Sequence, residues 1–140
     1  MAITKIQSST VSSEYNEQVT LFHWSFIMSK EHPELELLFA IPNGAKLPWG
    51  RTNKGKRYSA EAIKLIRSGL KPGVPDIFLP VARQGYNGLF IELKYNKNKP
   101  SGNQKQMIDK LSKQGYLVSV CYGFEEAKNV ICNYLSIPVT

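Results

Sequence analysis

Three residues able to hold and use a cation stand in the middle of the chain: Asp76 in GVPD, and Glu92 and Lys94 in GLFIELKY. The runs DIFLPV (76–81) and GLFIELKY (88–95) are short and apolar, and the polar turn ARQGYN between them predicts a β-hairpin. Side chains alternate along a strand, so Leu89, Ile91 and Leu93 face one way and Phe90, Glu92 and Lys94 the other. Hairpin pairing sets the start of the first strand beside the end of the second, which brings Asp76 level with Glu92 and Lys94. Pro75 is compatible with that position because the first residue of a strand need not donate to the ladder. Two carboxylates and an amine converging in a partly buried place leave two outcomes open. Either Lys94 neutralises an acid in an ordinary ion pair, or the carboxylates hold a hard divalent cation while the amine faces a phosphate or an attacking water.

The flanking elements supply further polar groups. SGNQKQMIDKLSKQG (101–115) is amphipathic, and Gln104 shares a stripe with Met107, Ile108 and Leu111, so its amide either meets a partner on the core side or, at a frayed helix end, is solvated. A helix is predicted from about Glu14 to about Lys30, with Ser12 and Ser13 as caps, an apolar stripe of Val19, Phe22 and Phe26, and Glu14 and Gln18 one turn apart. LELLFAIP (35–42) reads as a strand, PNGAKLPWG (42–50) as irregular and RTNKGKR (51–57) as a basic loop. YSAEAIKLIRSGLKPG (58–73) is a helix with Ala62, Ile63 and Ile66 on one face. YLVSVCY (116–122) is a strand, and FEEAKNVICNYLSI (124–137) a last helix with Phe124, Ala127, Val130, Ile131 and Tyr134 on one stripe. The order αβαββαβα predicts an α/β fold: a mixed sheet with helices on both faces.

The chain of 140 residues suits one domain, expected over 14–140 after a flexible polar leader (1–13). No tract is long and apolar enough to span a bilayer and the start has no secretion-signal core, so a cytoplasmic location is expected and no membrane partner. Cys121 and Cys132 are the only cysteines and His23 and His32 the only histidines, without the spacing of a zinc site. A metal here would be held by oxygen. The net charge of +7 is unevenly spread: −3 over residues 1–40, +11 over 41–113 and −1 over 114–140. A basic middle is either a polyanion-binding face or a solvated surface.

Glu14-x3-Gln18, GVPD, IELK, then Gln104 before an amphipathic helix and GYLVSVCYGFEEAKNVI together resemble the VRR-NUC family of the PD-(D/E)xK nuclease superfamily, which occurs in phages, in restriction-associated proteins and at the carboxyl end of a Fanconi-associated nuclease. The resemblance implies a restriction-endonuclease-like fold and a DNA-cleaving enzyme using Mg²⁺ or Mn²⁺. It implies Asp76, Glu92 and the main-chain carbonyl of Leu93 as metal ligands, with Glu14 reaching the metal directly or through water and Gln18 as its neighbour; Glu17 competes with Glu14 for that role. Lys94 corresponds to the catalytic lysine and Gln104 to the supporting glutamine. Relative to the shortest viral members, about 43–72 is a basic insertion. Its Arg51, Lys54, Lys56, Arg57, Lys64 and Arg67, with Lys97 and Lys99 beyond the hairpin, are candidates for contacting nucleic acid.

Hydrolysis of a phosphodiester in this way requires no covalent enzyme intermediate, and neither histidine stands where a serine or cysteine triad would need it. The expected function is a metal-dependent DNA endonuclease acting on branched or nicked duplex, as a homodimer if two strands of a junction are cut. The alternative is a catalytically silent nucleic-acid-binding module of the same fold.

Overall fold

The computed structural model of the protein describes residues 13–42, 49–52, 55–58 and 60–139, with side chains except at residue 13 and in 49–52 and 55–58. Four strands form one mixed sheet in the order β1 (Phe39–Ala40), β4 (Ile77–Leu79), β5 (Leu89–Lys94), β6 (Leu117–Tyr122). β4 and β5 are the antiparallel hairpin that the sequence predicts, while β5 and β6 run parallel and are joined through helix α3 (Gly102–Lys113), as a parallel connection requires.

One face of the sheet carries Ile77, Leu79, Leu89, Ile91 and Leu93, all inaccessible to solvent. Helices α1 (Ser13–Met28) and α4 (Phe124–Leu135) cover it with Leu21, Ala127, Ile131, Cys132 and Tyr134. Burying each large apolar side chain contributes about 1.5–3 kcal/mol, so this layer sets the strand register. The opposite face carries Phe78, Phe90, Glu92 and Lys94 and meets α3, so helices lie on both faces.

Several elements depart from the sequence reading. LELLFAIP is not a strand over its length: Pro33–Leu37 is a 3-10 helix and only Phe39–Ala40 pairs, with β4. Pro33 opens the turn, Leu35 and Leu38 are buried at threefold spacing, and the Leu35 carbonyl accepts from Leu38 N–H at 3.2 Å and Ser25 Oγ at 3.2 Å. The basic segment read as a loop holds a separate antiparallel pair, β2 (Trp49–Thr52) and β3 (Gly55–Tyr58), so Trp49 and Gly50 are not irregular either. A ladder is built from backbone groups, and charged residues do not prevent it.

In α1 the stripe is misplaced: Val19 and Phe26 are exposed, whereas Leu21 and Ser25 are buried with Phe22, Trp24 and Met28 packed around them. In α2 (Ala60–Arg67) Ala62 is buried as expected, but Ile63 and Ile66 are exposed. The leader through Ser12, and Lys54, lie outside the described residues.

Tyr134 fastens α4 to the hairpin turn. Its hydroxyl donates to the Val81 carbonyl at 2.5 Å and accepts from Arg83 N–H at 3.2 Å. Tyr134→Phe removes both bonds and strands a buried carbonyl, and we expect it to lower unfolding free energy by about 1–3 kcal/mol in urea denaturation. A midpoint equal to wild type would contradict this account of the clasp.

Candidate metal and catalytic site

The register Ile77↔Ile91 and Phe78↔Phe90, continued by one residue, sets Asp76 opposite Glu92. Both side chains are only 2 % exposed, although both are acids. Below them on the same face Phe78 stacks on Phe90, with ring centroids 4.1 Å apart, so the floor of the site is aromatic.

Each residue of GVPD has a separate physical reason to be there. Gly73 has φ +86, and a Cβ on it would fall 2.5 Å from the Asn103 carbonyl oxygen, so only glycine lets the start of α3 come this close. Pro75 is fully buried and, one further step along the register, stands opposite Leu93. Proline has no N–H, so it offers the Leu93 carbonyl no ladder bond. The Leu93 N–H instead donates to Asp76 Oδ2 at 2.9 Å. Main-chain N–H and C=O of one strand residue point to the same side, so the Leu93 carbonyl is directed toward the Asp76 side of β5.

Glu92 is held from α3. Gln104 Nε2 donates to Glu92 Oε1 at 2.7 Å, which supplies the partner its core-side position demands. The orientation of that amide is fixed by a capping box: Gln104 Oε1 accepts from Ser101 N–H at 2.8 Å, while Ser101 Oγ accepts from Gln104 N–H at 3.2 Å. With the oxygen engaged by a backbone donor, the NH₂ must face Glu92. Ser101 and Gly73 are therefore part of the site's support and were not singled out in the sequence. The S-x-x-Q spacing of Ser101–Gln104 was a readable signal for the first.

Lys94 Nζ lies 3.5 Å from Glu92 Oε1, and its side chain is 13 % exposed. Burial and the charge of Asp76 together outweigh Lys94, and push the Glu92 carboxyl from an ordinary 4.5 up to about 8. Glu92 Oε2 is buried without a hydrogen-bond partner among the described residues. An orphaned carboxylate oxygen costs about 1–3 kcal/mol or more. Two acids with a nearby carbonyl form an all-oxygen donor set, and the residues fit a hard divalent cation such as Mg²⁺ or Mn²⁺.

Among the described residues, no three or more His, Cys, Asp or Glu side chains gather to hold a metal. Glu14 and Gln18 are half-buried on α1. Glu17 is engaged elsewhere: its Oε2 accepts from Phe124 N–H at 2.9 Å. Of the basic candidates, Lys64 and Arg67 are exposed on α2, and Lys97 and Lys99 are exposed between β5 and α3. Arg51 and Lys56 are paired across β2 and β3, with Arg57 next to Lys56.

The raised Glu92 pKa has a consequence for metal-free protein. The folded state binds this proton more tightly than the unfolded chain, so the contribution is complete below about pH 4.5 and lost as pH rises through about 8. In EDTA, wild type should lose stability relative to Glu92→Gln between pH 5 and pH 8.5, as read from urea unfolding. Parallel curves for the two proteins would refute the coupling.

The family model for the VRR-NUC domain matches residues 29–125. A solved structure described as a VRR_NUC domain protein is similar at 27 % identity and a TM-score of 0.69, covering 90 % of each chain. No curated protein matches. Glu14 and Gln18 precede the matched segment. Because that segment spans more than half of the chain and contains Asp76, Glu92, Lys94 and Gln104, the protein belongs to the VRR-NUC family, within a nuclease-like superfamily.

Proposed function

We propose that the protein is a metal-dependent DNA endonuclease. The observation that carries this reading is the Oε2 of Glu92, buried beside Asp76 and 2 % exposed, which has no hydrogen-bond partner among the described residues. Asp76, Glu92 and the Leu93 carbonyl would hold the cation, with Glu14 reaching it through water. A bound Mg²⁺ or Mn²⁺ would supply charge for the phosphate and lower the pKa of a coordinated water.

The chain's own residues do the rest. Gln104 keeps the Glu92 carboxylate turned to its position, supported by Ser101. Leu93 N–H keeps Asp76 turned likewise. Lys94, at the rim of the buried pair, presents N–H donors to the non-bridging phosphate oxygens and to the attacking water, offsetting charge that builds in the transition state. The aromatic floor keeps bulk water away from below.

The substrate we assign is branched or nicked duplex DNA. Lys64, Arg67, Lys97 and Lys99 are exposed, and the +11 balance of residues 41–113 suits a phosphate backbone. Arg51, Lys54, Lys56 and Arg57 extend that charge, and Gln18 lies beside Glu14 on α1. A homodimer in the cytoplasm would set two sites against two strands of a junction.

Cleavage of plasmid and of a four-way DNA junction tests the proposal. Mg²⁺ or Mn²⁺ should support cleavage and EDTA should abolish it. Asp76→Ala and Lys94→Ala should each lower the rate by at least about 100-fold while junction binding persists. Cleavage unchanged in EDTA or in Asp76→Ala would overturn the metal role, and binding by wild type without cleavage would leave a silent binding module.

A further inference from the structure

The turn between β6 and α4 joins three elements through three consecutive amides. Tyr122 N–H donates to Glu126 Oε2 at 2.6 Å, Gly123 N–H to the Lys94 carbonyl at 3.1 Å, and Phe124 N–H to Glu17 Oε2 at 2.9 Å. Helix α4 starts from Gly123, which has no side chain to act as a cap. Gly123 has φ +90, a conformation that favours glycine, and a Cβ there would sit 3.6 Å from the Glu17 carboxyl. The first amides of a helix need acceptors from outside it, and a carboxylate is favoured at that end. Glu17, far away in sequence on α1, is that acceptor.

The location gives the bond a second effect. Lys94 is the last residue of β5, and its carbonyl is pinned by the amide next to the one that Glu17 holds. On α1, Glu17 is one turn beyond Glu14 and adjacent to Gln18. The Glu17 carboxylate thereby ties the helix that carries Glu14 to the turn whose preceding amide binds the strand end that carries Lys94.

We propose that Glu17 is a positioning residue for the reaction, which caps α4 and holds the Lys94 end of β5 in place, and is not a ligand of the cation. The inference rests on the nuclease reading for its kinetic consequence and on geometry for the rest. The test compares Glu17→Ala with Glu17→Gln, which keeps an oxygen acceptor, in the full chain. Hydrogen exchange at Gly123 and Phe124, Mn²⁺ affinity by calorimetry, and kcat and KM on a four-way DNA junction are measured.

Glu17→Ala should speed exchange at both amides by about tenfold or more. It should lower kcat by about tenfold through a displaced Lys94, with KM and Mn²⁺ affinity unchanged. Glu17→Gln should restore protection and kcat. Loss of Mn²⁺ affinity in Glu17→Gln would make Glu17 a ligand and overturn the inference, as would unchanged exchange and kcat in Glu17→Ala. If Glu17→Ala does not fold, Glu17→Gln decides by the same two criteria. A wild type that never cleaves contradicts the nuclease reading alone, and the exchange and Mn²⁺ measurements then decide the role of Glu17.

Discussion

Antiparallel pairing of β4 with β5 forces two acids into one buried place. Because Ile77, Leu79, Leu89, Ile91 and Leu93 must all face the main core, the residues between them face the other way, and Asp76 and Glu92 have no freedom to move apart. A register slip that separated them would expose the whole apolar set. The favourable burial of that set therefore sustains an electrostatic arrangement that is unfavourable by itself. The raised pKa of Glu92 and its orphaned oxygen are the visible signs of that strain.

The surroundings are arranged to orient the pair rather than to relieve it. Gln104 uses one end of its amide on the helix cap and the other on Glu92, so forming the first turn of α3 and aiming the carboxylate are one event. Gly73 lets α3 approach, and Pro75 withholds a ladder donor from Leu93. Packing of this kind fixes the side chains of the pair in narrow positions at a cost in stability.

Much of this was legible before any coordinates. Strand alternation alone places Glu92 and Lys94 on one face, and hairpin pairing places Asp76 beside them; the stripe of Gln104, Met107, Ile108 and Leu111 leaves the amide either turned inward or solvated, and the bond to Glu92 decides it. Other features were hidden for physical reasons. On α1, Phe22 packs against the core as expected but Val19 and Phe26 do not, because they are as apolar as Leu21 and Trp24 and what decides between two apolar stripes is the shape of the neighbour. LELLFAIP has β-like composition, yet Pro33 and the spacing of Leu35 and Leu38 suit a tight turn. The roles of Gly73 and Glu17 depend on contacts with Asn103 and Phe124, which are far away in sequence.

On the proposed reading, a divalent cation taken up by Asp76 and Glu92 displaces the proton that burial and Asp76 hold on Glu92. Calorimetric titration of Mn²⁺ into the metal-free protein at pH 7, in buffers of different ionisation enthalpy, counts the protons released. Release of close to one proton per Mn²⁺ is expected, falling away above about pH 8 and absent in Glu92→Gln. Tight binding with no proton released at pH 7, or no binding at all, would contradict it.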